Sequence, residues 1–478
     1  MTLSWLSCAL LVVLALFAIV EIGLRGLQLV IAMVRPPVVA ERRAMTQGAT
    51  QDFVSVHIPI CNEPPAMVIA TLDWLARIDF ARFEIIVIDN NTANSGLWRP
   101  VEAACARLGS RFRFMHVDRV AGAKAGALNL ALAAADPRTT HVAVVDADYQ
   151  VLPPFLTDAL AALRRCDVDY VQFPQAYRSA SPRTLGVECE LGDYFACFAG
   201  AAETAGAMLP TGTLSLFSVA ALRAVGGWPM ATITEDAEMG VRLQAAGFRG
   251  MWVARKMGHG LLPVDLKGIR MQRSRWCAGN FQVLKRLLDR ETGFGIRSWA
   301  GARDRLYLLA QLTSWITLIL LPSAVLAVLP LLPGLPMRAE IADLAATAIL
   351  VPAALTACRM VVIGDPAAGP LVRLEAMMTK LALTWTSATA WLPALLPWRL
   401  TFHRTAKEAD EGARDVDPAG LGVSFAFSLA TLAYLMAGAV WPALACVLLA
   451  SIWPCGRFVD HALRQSLPRS MPVPARSC

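Results

Sequence analysis

The chain has 478 residues, of which 56% are hydrophobic and only 17% charged, with a formal net charge of +7. A charged share well below the roughly 25% of ordinary soluble domains excludes a single soluble globular domain, and the length allows two or three domains. The positive balance falls on arginines just outside apolar runs (Arg35, Arg42 and Arg43, then Arg457, Arg464, Arg469 and Arg476), which suits a membrane face and gives no expectation of nucleic-acid binding.

Residues 1–34 form an apolar run broken by Glu21 and Arg25, with the arginines following it. That order predicts a retained transmembrane helix, not a cleaved leader, and leaves residue 35 onward in the cytosol. Residues 52–255 alternate strand-like runs (FVSVHIPI, FEIIVIDN, FRFMHVD, HVAVVDAD) with helical patterns at Pro65–Arg77 and Gly122–Ala135. Such alternation predicts an α/β domain over residues 50–290, with a mostly parallel sheet binding its ligand at the strand C-termini.

Residues 291–456 are predicted as a transmembrane and interfacial helix region. The runs Leu306–Leu335 and Ile341–Ile363 each exceed the roughly 20 residues a crossing needs. Residues 371–398 carry Arg373, Glu375 and Lys380 early, so their start should lie at the interface. A charged loop at 399–418 follows, then Leu421–Cys455 as a tight pair of spans around Gly438, and a cytosolic tail at 457–478. Parity then gives about five helices with the N-terminus outside. The 11 cysteines are scattered without a CxxC pair or zinc-ligand spacing, which predicts free thiols.

Candidate chemistry sits at the strand ends. Asp146 and Asp148 flank one residue at the end of HVAVVDAD and could hold Mg2+ or Mn2+ against a nucleotide diphosphate, although acidic pairs also cap strands in many proteins. Asp89, with Asn62 and Glu63 after the first strand, completes a polar row suited to a nucleoside or to a turn. Thr234-Glu235-Asp236 opens a helical pattern, either as an N-cap or with Asp236 as a general base on an acceptor hydroxyl. Gln272-Arg273-Ser274-Arg275-Trp276 pairs a bidentate cation with a flat face for a sugar ring, or is an interfacial Arg/Trp belt. A lone His259 beside glycines reads as structural, and Cys277 as a small buried residue.

In order and spacing, Asp89, Asp146/Asp148, Thr234-Glu235-Asp236 and Gln272-x-x-Arg275-Trp276 resemble the signature of membrane-bound family-2 glycosyltransferases, which include cellulose, chitin and hyaluronan synthases. HIPICNEPP, Asn90-Asn91-Thr92, Trp98-Arg99-Pro100, Lys124–Leu128 and Gly258–Pro263 are most similar to bacterial β-1,3/β-1,6-glucan synthases. The resemblance implies a GT-A (Rossmann-like) domain between an N-terminal transmembrane helix and a C-terminal helix bundle. It further implies a bacterial inner-membrane enzyme that polymerises UDP-glucose into a β-glucan and passes the growing chain across the bilayer, with an export partner protein left open.

Residue by residue, Asn62, Glu63 and Asp89 would face the uridine, while Lys124 and Asp146 would contact the donor phosphates. Asp148 would hold the metal with Asp146, and Asp236 would be the base beside Glu235 and Thr234. Gln272 and Arg275 would bind the diphosphate, and Trp276, Gly212 and Thr213 the acceptor. Phe402–Lys407, with Thr405 and Lys407, is similar to a loop that closes over the donor. Arg404, Asn90 and Leu209-Pro210-Thr211-Gly212-Thr213 depart from the cellulose-type pattern, and the tail is too short for a cyclic-di-GMP-binding domain, which weighs against cellulose. The alternatives are a non-processive transferase acting on a lipid phosphate and a catalytically inactive membrane subunit.

Overall fold

The computed structural model describes residues 2–34, 51–178, 182–203, 206–289, 301–364, 368–396 and 417–466. The strands expected from the sequence form as β1 (Val54–Ile60), β2 (Phe83–Asn90), β3 (Phe112–Val117) and β4 (His141–Val144). β2 is buried along its whole length, as a strand covered on both faces by helices must be. β1 pairs in parallel with β2 and β4, and β2 in parallel with β3.

Beyond β4 the sheet becomes mixed. β8 (Ser215–Ser218) runs antiparallel to both β4 and β6 (Tyr170–Gln172), and β9 (Gly250–Trp252) closes the edge parallel to β6. The seven-stranded order is β3-β2-β1-β4-β8-β6-β9, beside a small sheet of β5 (Gln150–Val151), β10 (Gly258–Leu261) and β7 (Tyr177–Arg178). This is the α/β, GT-A-like arrangement that the resemblance implies. Chain order reverses between β1 and β4, so the ends of those strands flank the crevice in which open α/β sheets take their ligands.

One apolar core, around Val54, Ile58, Val87 and Phe155, covers one sheet face. The core on the other face runs from Val144, Tyr170 and Phe217 on into Tyr307, Leu308 and Trp315, so the domain and the helices after it share packing. Membrane-facing chemistry shows in what the helices leave uncovered. Trp5, Leu6 and Ile19 of Thr2–Met33, and Met436 at the end of Pro418–Met436, are exposed large apolar side chains.

Among the described residues, four helices are long and apolar enough to cross a membrane: Ser4–Met33, Arg338–Val362, Pro418–Met436 and Val440–Ser466. The expected span Leu306–Leu335 is not one helix. It breaks into Ala302–Leu312 and Leu320–Val328, with residues 313–319 non-helical between them. The pair expected around Gly438 forms, with that glycine at φ +69° in the turn. Its second arm continues as Ile452–Ser466, so Arg457 and Arg464 belong to a helix and not to a free tail. Asp460 accepts from the Leu266 amide and Arg464 bonds Asp265, docking that helix on the α/β domain. Pro370–Ala382 lies against Leu185–Tyr194, where Gly186 permits contact so close that a Cβ there would meet the Glu375 side chain at 2.3 Å.

Candidate active site

Lys124 stands at the centre of the crevice. Its Nζ donates to Asp146 Oδ1 at 2.6 Å and to the Gly212 carbonyl at 2.7 Å, with Glu235 Oε1 3.7 Å away. Burial works against the ammonium, but Asp146, Glu235 and Asp236 together hold its pKa above the usual lysine value. Gly212 sits at φ +78°, and a Cβ there would meet Asp236 Oδ2 at 2.8 Å, so both its conformation and its contact favour glycine. Thr213, fully buried, accepts the Asp146 amide at 3.0 Å and so fixes the strand-end acid.

The 207–214 backbone is suspended by glutamines. Gln311 bonds the Ala207 carbonyl and the Leu209 amide, and Gln244 bonds the Met208 carbonyl. Gln172 takes the Thr211 amide and the Thr213 carbonyl, and Gln175 the Thr211 carbonyl. These clamps were not foreseen, because isolated glutamines carry no spacing signal.

Asp236 lies in the first turn of the helix Glu235–Ala245, where three acids (Glu235, Asp236, Glu238) face the positive end of the helix dipole. Thr234 holds the N-cap position, yet its side chain makes no cap bond. Instead it packs against Gly279, where a Cβ would lie 2.4 Å from the threonine methyl. Burial, then the charge of Glu235, pushes the Asp236 carboxyl up to about 7, against the pull of Lys124, the Ala237 amide at 2.8 Å and Arg275.

Asp236 also lines a cavity with Trp276, Asn280, Tyr194, Gln175 and Trp315. Trp276 and Trp315 lie 5.4 Å apart between ring centroids, and Tyr194 stacks on Trp315 at 5.0 Å. Arg273, buried and paired with Glu190, sits 4.0 Å over Trp315. Lys380 joins from the other side at 3.4 Å from Glu190.

Asp89 presents a different picture. Its Oδ1 accepts from Thr92 Oγ1 at 2.6 Å, and its Oδ2 bonds His116 Nδ1 at 2.6 Å. The His116 ring stacks on Trp98 at 4.4 Å. A ligand at this strand end therefore meets a His116–Asp89 pair and not a bare carboxylate. Asn62 is exposed beside it at φ +52°, its backbone amide donating to Thr92 Oγ1 at 2.8 Å. Asp148 is buried, and its Oδ2 accepts from the Leu261 amide at 2.9 Å.

Residues 55–222 match the family model described as "Glycosyl transferase family 2", and residues 141–356 match "Glycosyl transferase family group 2". Both models describe family 2 glycosyl transferases, and between them they span residues 55–356, the α/β domain and the first helices after it.

Curated proteins similar to this chain include a cellulose synthase catalytic subunit of Xanthomonas axonopodis pv. citri, 29% identical over 48% of this chain and 32% of that protein. A probable glucomannan 4-beta-mannosyltransferase of Arabidopsis thaliana is 27% identical over 49% of this chain and 44% of its own length. The chain thus matches between a third and a half of the length of these relatives. Among solved structures, a mannosyltransferase from Pyrobaculum calidifontis in complex with GDP-Man and Mn2+ aligns at 20% identity and TM-score 0.49, over 80% of this chain and 97% of that one.

Within the candidate site, the fold brings Lys124, Asp146, Gly212, Glu235 and Asp236 together, with Arg275 and Trp276 on the helix Leu266–Leu288 beside them. Gln272 on the same helix accepts from the Tyr177 hydroxyl at 3.1 Å. Thr405 and Lys407 lie outside the described residues. Cys277 is fully buried and its thiol is pushed up to about 12, chiefly by burial, which fits a packing role. His259 lies on β10 opposite Gln150 as part of the small sheet. Trp315, Tyr194 and His116 were missed, since a lone aromatic in an apolar or strand-like run has no motif to mark it.

Proposed function

We propose that this chain is a processive, inverting glycosyltransferase of a bacterial inner membrane. In this reading its cytosolic domain polymerises UDP-glucose into a β-glucan of non-cellulose linkage, and the chain leaves through its own membrane helices. The observation that carries the reading is Asp236. Its carboxyl is held near neutrality, the range in which a general base works best, and it lines an aromatic-walled cavity beside Lys124.

Asp236 takes the proton of an acceptor hydroxyl whose oxygen attacks the anomeric carbon. The carbon–oxygen bond to the donor diphosphate breaks, and UDP departs with the electron pair. Attack opposite the leaving group turns an α-linked donor into a β-bond. Lys124 and Arg275 place positive charge beside the departing diphosphate, and Trp276 gives the acceptor ring a flat apolar face.

The donor set suits a hard divalent cation shared with substrate. Asp146 is a strand-end carboxylate with its side chain 36% exposed, and Asp148 follows two residues on. Among the described residues no three His, Cys, Asp or Glu side chains converge as a complete ligand set. Substrate phosphates and water would therefore complete the shell, as is usual for Mg2+ or Mn2+. Such a cation would neutralise charge developing on the leaving diphosphate.

A second reading, transfer of mannose from GDP-mannose, is favoured by the similarity to glucomannan mannosyltransferases. One experiment separates these readings. Membranes carrying the chain are given UDP-glucose or GDP-mannose with Mg2+ or Mn2+, and nucleotide release, product size and linkage are measured. Polymer from UDP-glucose supports the proposal, and polymer from GDP-mannose supports the second reading. A single sugar on lipid would establish the non-processive alternative, and no turnover of either donor would overturn both readings.

A further inference from the structure

A buried unwound stretch between two helices strands backbone amides and carbonyls, each costly if left unpaired. In residues 313–319 the Thr317 amide donates to the Ser387 carbonyl at 3.1 Å, and two further backbone groups are met by polar side chains of the N-terminal helix. Glu21 Oε2 accepts the Leu318 amide at 3.1 Å, and Glu21 Oε1 accepts the Thr317 hydroxyl at 2.7 Å. Arg25 donates to the Ile316 carbonyl while its guanidinium pairs with Glu21 at 2.9 Å. Gln28 accepts from Arg25 at 2.9 Å and reaches Thr313 Oγ1 at 3.4 Å. All three are at least nine-tenths buried, at 2%, 8% and 1% exposure.

Trp315 sits in the middle of the segment they hold. It walls the cavity that Asp236 and Trp276 line from the catalytic side. We propose that Glu21, Arg25 and Gln28 of the N-terminal helix are positioning residues for the acceptor site. They fix the unwound segment so that Trp315 sets the cavity's membrane-side wall and thereby selects which sugar chain end fits against Asp236. The inference rests on the glycosyltransfer reading for its acceptor, but its geometry does not depend on which sugar is transferred.

The test uses the full chain in membranes or nanodiscs, with Glu21→Gln and the milder Thr317→Val, which removes one bond and no charge. Two readouts are taken. Hydrogen exchange follows the peptide spanning residues 313–319, and steady-state kinetics follows donor KM and acceptor KM with β-1,3- and β-1,4-linked glucotriose as acceptors. We expect faster exchange in that peptide, a threefold to tenfold rise in acceptor KM and an unchanged donor KM, with Thr317→Val showing the smaller effect in the same direction.

Faster exchange with an unchanged acceptor KM would overturn the functional role and leave a purely structural one. Unchanged exchange in both variants would overturn the positioning itself. Should Glu21→Gln fail to fold, Thr317→Val decides by the same criteria. Wild-type protein that turns over no nucleotide sugar refutes the glycosyltransfer reading instead, while the exchange arm still decides whether the triad holds the segment.

Discussion

Replacing Asp236 by Asn should stabilise the protein at alkaline pH while it removes catalysis. The Asp236 carboxyl rises from 3.8 to about 7 on folding, for which burial is the first cause and the neighbouring Glu235 charge the second. At about 1.4 kcal/mol per pH unit, keeping it ionised in the fold costs on the order of 4 kcal/mol above pH 7. The sign follows from linkage. A carboxyl with a raised folded pKa contributes its stability below about pH 4, and that contribution is lost as pH rises through 7. Asn keeps the oxygen that accepts the Ala237 amide and carries no charge to bury.

Thermal unfolding of the purified protein at pH 5 and pH 8.5 reads this directly. The Asn variant should melt higher than wild type at pH 8.5, by several degrees, with most of the gap gone at pH 5. Its nucleotide release should fall by about a hundredfold or more, the usual loss for a general base. Equal melting points at pH 8.5, or a gap that does not change with pH, would refute the electrostatic reasoning. Full activity would remove Asp236 as the base.

Glu235→Gln should move the acid limb of the pH–rate profile down, because the carboxylate that helps to raise Asp236 is gone, and Lys124→Met should move it up while weakening donor binding. Gly279→Ala should cut turnover about tenfold or more by pushing Thr234, and with it the turn that carries Asp236, away from a methyl that would lie 2.4 Å off. Chelation with EDTA should abolish nucleotide release, and Mg2+ or Mn2+ but not Na+ should restore it; chelator-resistant turnover would exclude the assigned cation.

The part of the molecule legible in sequence is the part with strong local periodicity. FEIIVIDN and HVAVVDAD announce β2 and β4, because a strand buried on both faces reads as a largely apolar run, and the acids Asp89, Asp146 and Asp148 mark the strand ends. β8 and β6, only four and three residues long, do not announce themselves, so the antiparallel insertion beside β4 was invisible. Hydropathy likewise read Leu306–Leu335 as one crossing, since it weighs side chains and not backbone. The groups that the break frees at Ile316, Thr317 and Leu318 are met by partners almost 300 positions away, at Glu21 and Arg25. Asp89 shows the same limit on a smaller scale. Its place at a strand end was readable, but its two bonds to Thr92 and His116 depend on a neighbouring strand.

The broken helix also bears on the bilayer itself. Its apolar second piece, Leu320–Leu331, has 12 residues and is about 18 Å long, against a hydrocarbon slab of about 30 Å. A piece that short does not span by itself; Leu326 and Leu329 are buried against Leu14, Ile341, Phe427 and Leu449 of the longer helices, which shield it as a buried or re-entrant segment.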